Sequence, residues 1–106
     1  MNERIQQELE LIKKSVLDAV PAEAIYLFGS HAYGTPREDS DLDIYVVVPD
    51  DSAELSDIRA SIRKNARYRQ KMPMDLLVVR SSVFNRRKNG PTIEKTIAER
   101  GVTIHG

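Results

Sequence analysis

The sequence predicts a small α/β domain, and three observations carry that prediction. Apolar runs of strand length, Ile25 to Phe28, Leu42 to Val48 and Met74 to Val79, are rich in β-branched residues and punctuated by Gly29, Pro49 and Pro73. Between them lie segments with apolar residues every three or four positions, the period of an amphipathic helix. The chain has 106 residues, which suits one domain over 1–106 with one core and leaves no room for a second lobe.

Taken in order, Ile5, Leu9, Ile12, Val16 and Val20 mark a first helix closed by Pro21. The first strand, Ile25 to Phe28, ends at Gly29 and so puts Ser30 at the sheet margin. His31 to Ser40 reads as a turn of helix followed by a loop, because Gly34, Pro36 and Asp39-Ser40 interrupt it. After the second strand, Ser52 is the expected N-cap of a helix from Ala53 to about Arg67, with Leu55, Ile58 and Ile62 inward. The third strand, Met74 to Val79, is almost continuously apolar, which makes its single acid, Asp75, costly to bury unless it is paired or bound to a metal. Ser81 or Ser82 is expected to cap a short helix through Phe84 to Lys88, broken by Asn89-Gly90-Pro91. Thr92 then caps a helix that holds Ile93 and Ile97, Gly101 ends it in a left-handed conformation, and Val102 to Ile104 forms a last strand.

Sixteen basic and sixteen acidic residues cancel, so no overall charge draws the chain to nucleic acid or to an anionic membrane. Nucleic-acid contact is therefore not favoured, and any such contact would be local. The absence of cysteine excludes disulfides, thiolate metal sites and cysteine nucleophiles. No apolar run approaches the ~20 residues of a membrane span and no signal-type core follows Met1, so a cytoplasmic protein is expected.

Chemistry is concentrated between Tyr26 and Val48. Asp41 and Asp43 alternate with Leu42, so in a strand both point to one face with α-carbons about 6.5 Å apart. Two carboxylates this close repel unless a cation or a proton lies between them, and a hard divalent ion is the usual solution. Gly29 permits a tight turn and a close approach, and Ser30 with the following amides is placed to meet phosphate oxygens. Ser40, beside the acids, either hydrogen-bonds a carboxylate or simply ends the loop.

Gly29-Ser30, ten intervening residues and then Asp41-Leu42-Asp43 resemble the Gly-Ser-x10-Asp-x-Asp signature of the DNA polymerase beta nucleotidyltransferase superfamily. Asp75 matches that pattern's further acid on a later strand. The small size resembles the minimal nucleotidyltransferases, often paired with HEPN-domain proteins. The resemblance implies a polymerase beta-like fold with a small mixed, twisted sheet packed with helices. It implies Asp41, Asp43 and Asp75 as catalytic residues and as ligands of two Mg2+ ions, replaceable by Mn2+, and Gly29, Ser30 and Ser40 as nucleotide-binding residues. It further implies transfer of a nucleoside monophosphate, AMP from ATP, to a hydroxyl of a partner macromolecule, as in the antitoxin-like half of a HEPN pair. The alternative from another class is a non-catalytic nucleotide-binding module that neutralises such a partner by covering it.

The remaining charged residues carry less. His31, next to the Gly29-Ser30 turn, reads first as a partly exposed loop histidine without catalytic duty and second as a contact for a leaving phosphate; His105 reads as solvated, and Arg37 as a minor candidate for phosphate contact. Arg59, Arg63 and Arg67 recur at four-residue steps and read first as a solvated helix face, second as a docking strip for an acidic partner or RNA.

Overall fold

A computed structural model describes residues 2–37 and 39–106, so Glu38, within the loop expected over His31 to Ser40, lies outside the described residues. The elements run α1 (Glu3–Ala19), β1 (Ala24–Phe28), α2 (Ser30–Tyr33), β2 (Leu42–Val48), α3 (Leu55–Arg67), β3 (Met74–Arg80), α4 (Ser81–Arg87), α5 (Ile93–Arg100) and β4 (Val102–His105). The strands form one sheet in the order β3-β2-β1-β4. β1 pairs antiparallel with β2 and β4, and β2 pairs parallel with β3, so the sheet is mixed, as the fold expectation required.

Residue alternation along the strands gives the sheet two unlike faces. Ile25, Leu27, Leu42, Ile44, Val46, Val48, Leu76 and Val78 face α1 and α3, where Ile12, Val16, Ile58 and Ile62 complete the main core. α1 starts where Asn2 accepts the Ile5 amide hydrogen bond at 2.9 Å, satisfying one of the free donors of a helix start. Polar groups lock the two helices in place: the Asn65 amide donates to the Ser15 carbonyl at 3.0 Å. Both carboxylate oxygens of the buried Glu8 accept from the Lys71 backbone amide at 3.0 and 3.1 Å, tying the turn before β3 to α1.

The other face is partly covered. Tyr45, Val47, Phe84 and Ile97 form a smaller cluster with Tyr26 and Phe28 around it. Phe28 meets Tyr45 edge-on at 6.3 Å between ring centroids, and Tyr26 stacks on Phe84 at 5.7 Å. At its base the Tyr45 hydroxyl, fully buried, donates to Glu94 at 2.9 Å, while Arg87 Nε donates to the same carboxylate at 2.8 Å. One strand, one helix end and a second helix are thereby joined through a single buried acid.

Several local expectations are corrected. α3 starts at Leu55 and Ser52 does not cap it, because the carbonyls of Asp50, Ser52 and Ala53 accept from the Arg80 guanidinium and hold that turn apart from the helix. Neither serine caps α4; it follows β3 directly, and the carboxylate of Asp50 accepts from the Ser82 amide at 2.9 Å. Thr92 does cap α5, accepting from Lys95 at 3.2 Å; Ile97 and Glu94 of that helix are buried, while Ile93 is 48% exposed. Gly101 is extended, with φ −65°; its missing side chain matters because a Cβ would lie 2.5 Å from the Ile97 carbonyl. Asp75 is exposed, and so is Leu77 at 42%, because β3 is an edge strand whose second face the helices leave open. The burial cost inferred for Asp75 therefore does not arise.

The Glu94 network yields a stability prediction. Burial raises the Glu94 pKa, but the hydrogen bonds from Arg87, Tyr45 and its own backbone amide, together with the Arg87 charge, outweigh it and leave a net lowering. A lowered folded pKa means stabilisation that is present above the unfolded value, ~4.3, and lost as pH falls through the folded one. Glu94→Ala, which orphans the buried Tyr45 hydroxyl, should cost roughly 1–3 kcal/mol in urea melts at pH 7. The cost should shrink near pH 3, and an equal loss at both pH values would contradict the ionic part of this account.

Candidate active site

The site lies where β1 ends and where β2 and β3 begin, on the partly covered face. β1 stops because Gly29 turns with φ +73°, a conformation that residues with side chains rarely adopt. Ser30–Tyr33 then makes a single helical turn, with the amides of Ala32 and Tyr33 donating to the Gly29 carbonyl at 3.0 Å, and Gly34 ends it in the left-handed region. Gly29 is also needed for space: a Cβ there would stand 1.9 Å from Asp43 Oδ2. Hence the Asp43 carboxylate rests against bare backbone at the Gly29-Ser30 turn.

Asp43 pairs in register with Phe28 on one side and with Asp75 on the other. Parallel pairing of β2 with β3 puts both acids on the same face of adjacent strands, where strand spacing separates backbones by ~4.8 Å. Asp41, exposed, immediately precedes β2. Burial raises the Asp43 pKa above the usual carboxylate range. The charge of Asp75, a hydrogen bond between the two carboxyls and the charge of Asp41 raise it further, against a lowering by charge on His31. Asp41, Asp75 and His31 thus each lie close enough to act on the Asp43 carboxyl.

The donor set suits a hard divalent cation, since it consists of carboxylate oxygens that already compete for one proton. Among the described residues no group of three or more His, Cys, Asp or Glu side chains stands in a metal-ligating array. Mutual repulsion of the three acids opposes tighter convergence.

Other residues singled out in the sequence fall into place around the acids. Ser30, half-buried, opens α2. Ser40 Oγ accepts from the Arg37 amide at 2.8 Å, while the Ser40 amide donates to the Arg37 carbonyl at 3.1 Å, so this serine closes the loop. His31 Nε2 lies 3.0 Å from the Ser40 carbonyl, a tether that the loop-histidine reading did not anticipate. Arg63 and Arg67 are exposed on α3 and, with Ala66, Gln70, Pro73 and Met74, line a shallow pocket of about 170 Å³ just before Asp75.

Glu8 was missed by the sequence reading. Its signal was present, because it occupies the inward stripe Ile5-Glu8-Leu9-Ile12, where an acid needs a partner. A cavity of about 540 Å³ lies between α1 and β4 and includes Gln6, Leu9, Val102 and Ile104 but none of the three acids. Shape favours that groove, while charge and strand register favour the open sheet end.

A mixed sheet with a Gly-Ser turn facing acids on two parallel strands defines a class of domain built to handle phosphate-bearing substrates. The chain belongs to the nucleotidyltransferase domain family, whose model matches residues 9–104, and its polymerase beta-like architecture accords with that membership. It is accordingly a nucleotidyltransferase domain. No curated protein sequence matches it. Among solved structures, one described as a toxin–antitoxin with AMP-PNP is 23% identical with TM-score 0.63, over 92% of this chain and 73% of the other. A toxin–antitoxin described as MntA-HpeT, mutated from aspartate to glutamate at two positions, is also 23% identical, with TM-score 0.64 and the same coverage. A Sulfolobus solfataricus protein whose structure carries a nucleotidyltransferase assignment is 20% identical with TM-score 0.57, over 97% of this chain and 86% of the other.

The acid pair gives a test that needs no substrate. A raised folded pKa for an aspartate means stability present below the unfolded value, ~3.9, and lost as pH rises through the folded value. At neutral pH in EDTA, Asp43→Asn or Asp75→Asn should therefore raise the melting temperature by a few degrees, and the gain should vanish at pH 3. A fall in melting temperature at neutral pH would show that the pair is not under repulsion.

Proposed function

We propose that the domain transfers AMP from ATP to a hydroxyl on a separate macromolecule, with Asp41, Asp43 and Asp75 as the catalytic acids. The observation that carries this reading is the register pair Asp43–Asp75 beside the Gly29-Ser30 turn. Ser30, the amides of Ser30 and His31 that open α2, and Ser40 suit the phosphates of the nucleotide, and the acids suit the cations that accompany them. Mg2+, or Mn2+ in its place, would be held by Asp41, Asp43 and Asp75 and would supply charge neutralisation for the triphosphate and the departing pyrophosphate.

Asp75, exposed at the edge of the sheet, is placed to accept the proton of the incoming hydroxyl. The acceptor oxygen then bonds to the α-phosphorus as the bond to the bridging oxygen breaks and pyrophosphate leaves. Position and charge supply most of the catalysis, as expected for transfer at phosphorus. A neighbouring fold crystallised with AMP-PNP supports the nucleotide, and two toxin–antitoxin neighbours support a protein partner. We assign that partner to the HEPN type on the family resemblance. No helix among the described residues is long and apolar enough to cross a membrane.

One correction strengthens the competing reading of a nucleotide-binding cover. An acid buried in β3 would have been hard to explain in a pure binder, but Asp75 is exposed. Chemistry on a labelled substrate separates the two. With ATP, Mg2+ and the candidate partner, intact mass should show the partner gaining one or more AMP units. Asp75→Asn should keep nucleotide binding within roughly tenfold while cutting turnover by about a hundredfold or more. Tight partner binding with no mass gain would establish the cover instead.

A further inference from the structure

The loop from Thr35 to Ser40 separates two parts that must work together, the Gly29-Ser30 turn and the Asp41–Asp43 pair. It contains Pro36, and Thr35, Pro36, Arg37 and Asp39 are exposed. Its end is nevertheless fixed at Ser40 from two directions. Arg37 and Ser40 close a local turn through two hydrogen bonds, at 2.8 and 3.1 Å. From outside the loop, His31 Nε2 reaches the Ser40 carbonyl at 3.0 Å. A carbonyl only accepts, so Nε2 carries the hydrogen and donates it.

We infer that His31 is a positioning residue that couples the phosphate-facing turn to the metal-facing acids by holding the peptide between Ser40 and Asp41. The bond joins the second residue of α2 to the carbonyl immediately preceding Asp41, nine positions along the chain. Asp41 sits just outside β2: the peptide that follows it is held by the Leu42 amide, which donates to the Pro73 carbonyl at 3.0 Å, and the peptide that precedes it is held by the His31 bond. Groups holding a metal ligand from behind typically change affinity when removed, although they never touch the ion.

This inference rests on the reading of the three acids as a cation site, and the experiment keeps the two apart. Mn2+ binding to the full chain would be followed by the electron paramagnetic resonance signal of the free ion, for wild type, Asp43→Asn, His31→Ala and His31→Gln. Glutamine places an amide donor where imidazole Nε2 stood, and alanine does not. His31→Ala should bind Mn2+ about 10- to 100-fold more weakly with an unchanged melting temperature, and His31→Gln should regain most of the affinity. Should His31→Ala melt below the assay temperature, His31→Leu replaces it under the same criteria. Wild-type affinity in the alanine or leucine variant, or no recovery in the glutamine variant, overturns the inference while weakened binding by Asp43→Asn leaves the cation site standing. Wild-type affinity in Asp43→Asn removes both.

Discussion

The contact between the Asp43 carboxylate and the bare backbone of Gly29 is the constraint on which the site depends. It needs a residue without Cβ at position 29, a positive φ there, and β1 and β2 paired so that Phe28 lies opposite Asp43. Each condition is set by a different part of the molecule. The pairing is enforced by the main core under the sheet, since a slip of one residue would turn Ile44 and Val46 outward along with it. The same register then carries through β2 into β3 and brings Asp75 alongside Asp43. Two acids thus stand together because the hydrophobic pattern beneath them permits no other alignment.

The opposite face explains why the site stays open. Tyr45, Phe84, Phe28 and Tyr26 gather the short helices α4 and α5 over the centre of the sheet, with Glu94 accepting from both Tyr45 and Arg87. That cover stops short of Asp75 and Leu77, which remain exposed on the edge strand. On the proposed function, a site with one uncovered side suits an acceptor that brings its own surface. It also leaves the acids exposed to water, which screens their charge until another surface excludes it.

Much of this was legible in the chain itself. Four strands, the helices between them and the inward residues of α1 and α3 follow from period and punctuation, and Gly29-Ser30 with Asp41-Leu42-Asp43 marked the candidate site. The failures have a common cause, namely interactions between residues far apart in sequence. Arg80 claims the carbonyls ahead of α3, so Ser52 does not cap it. Asp50, not Ser81 or Ser82, meets the first turn of α4. Asp75 looked buried because Leu76 to Val79 is apolar, yet an edge position leaves one face of β3 open. His31 looked idle because its partner is a backbone carbonyl, which no side-chain motif displays.

The account makes Asp41, Asp43 and Asp75 ligands of a divalent cation that accompanies a nucleotide. Crystals grown with Mn2+ and a non-hydrolysable ATP analogue, measured near the manganese absorption edge, test that claim most directly. The account predicts an anomalous peak between the three carboxylates, with the triphosphate of the analogue against the Gly29-Ser30 turn. An ordered nucleotide whose phosphates and manganese lie away from all three acids would contradict it.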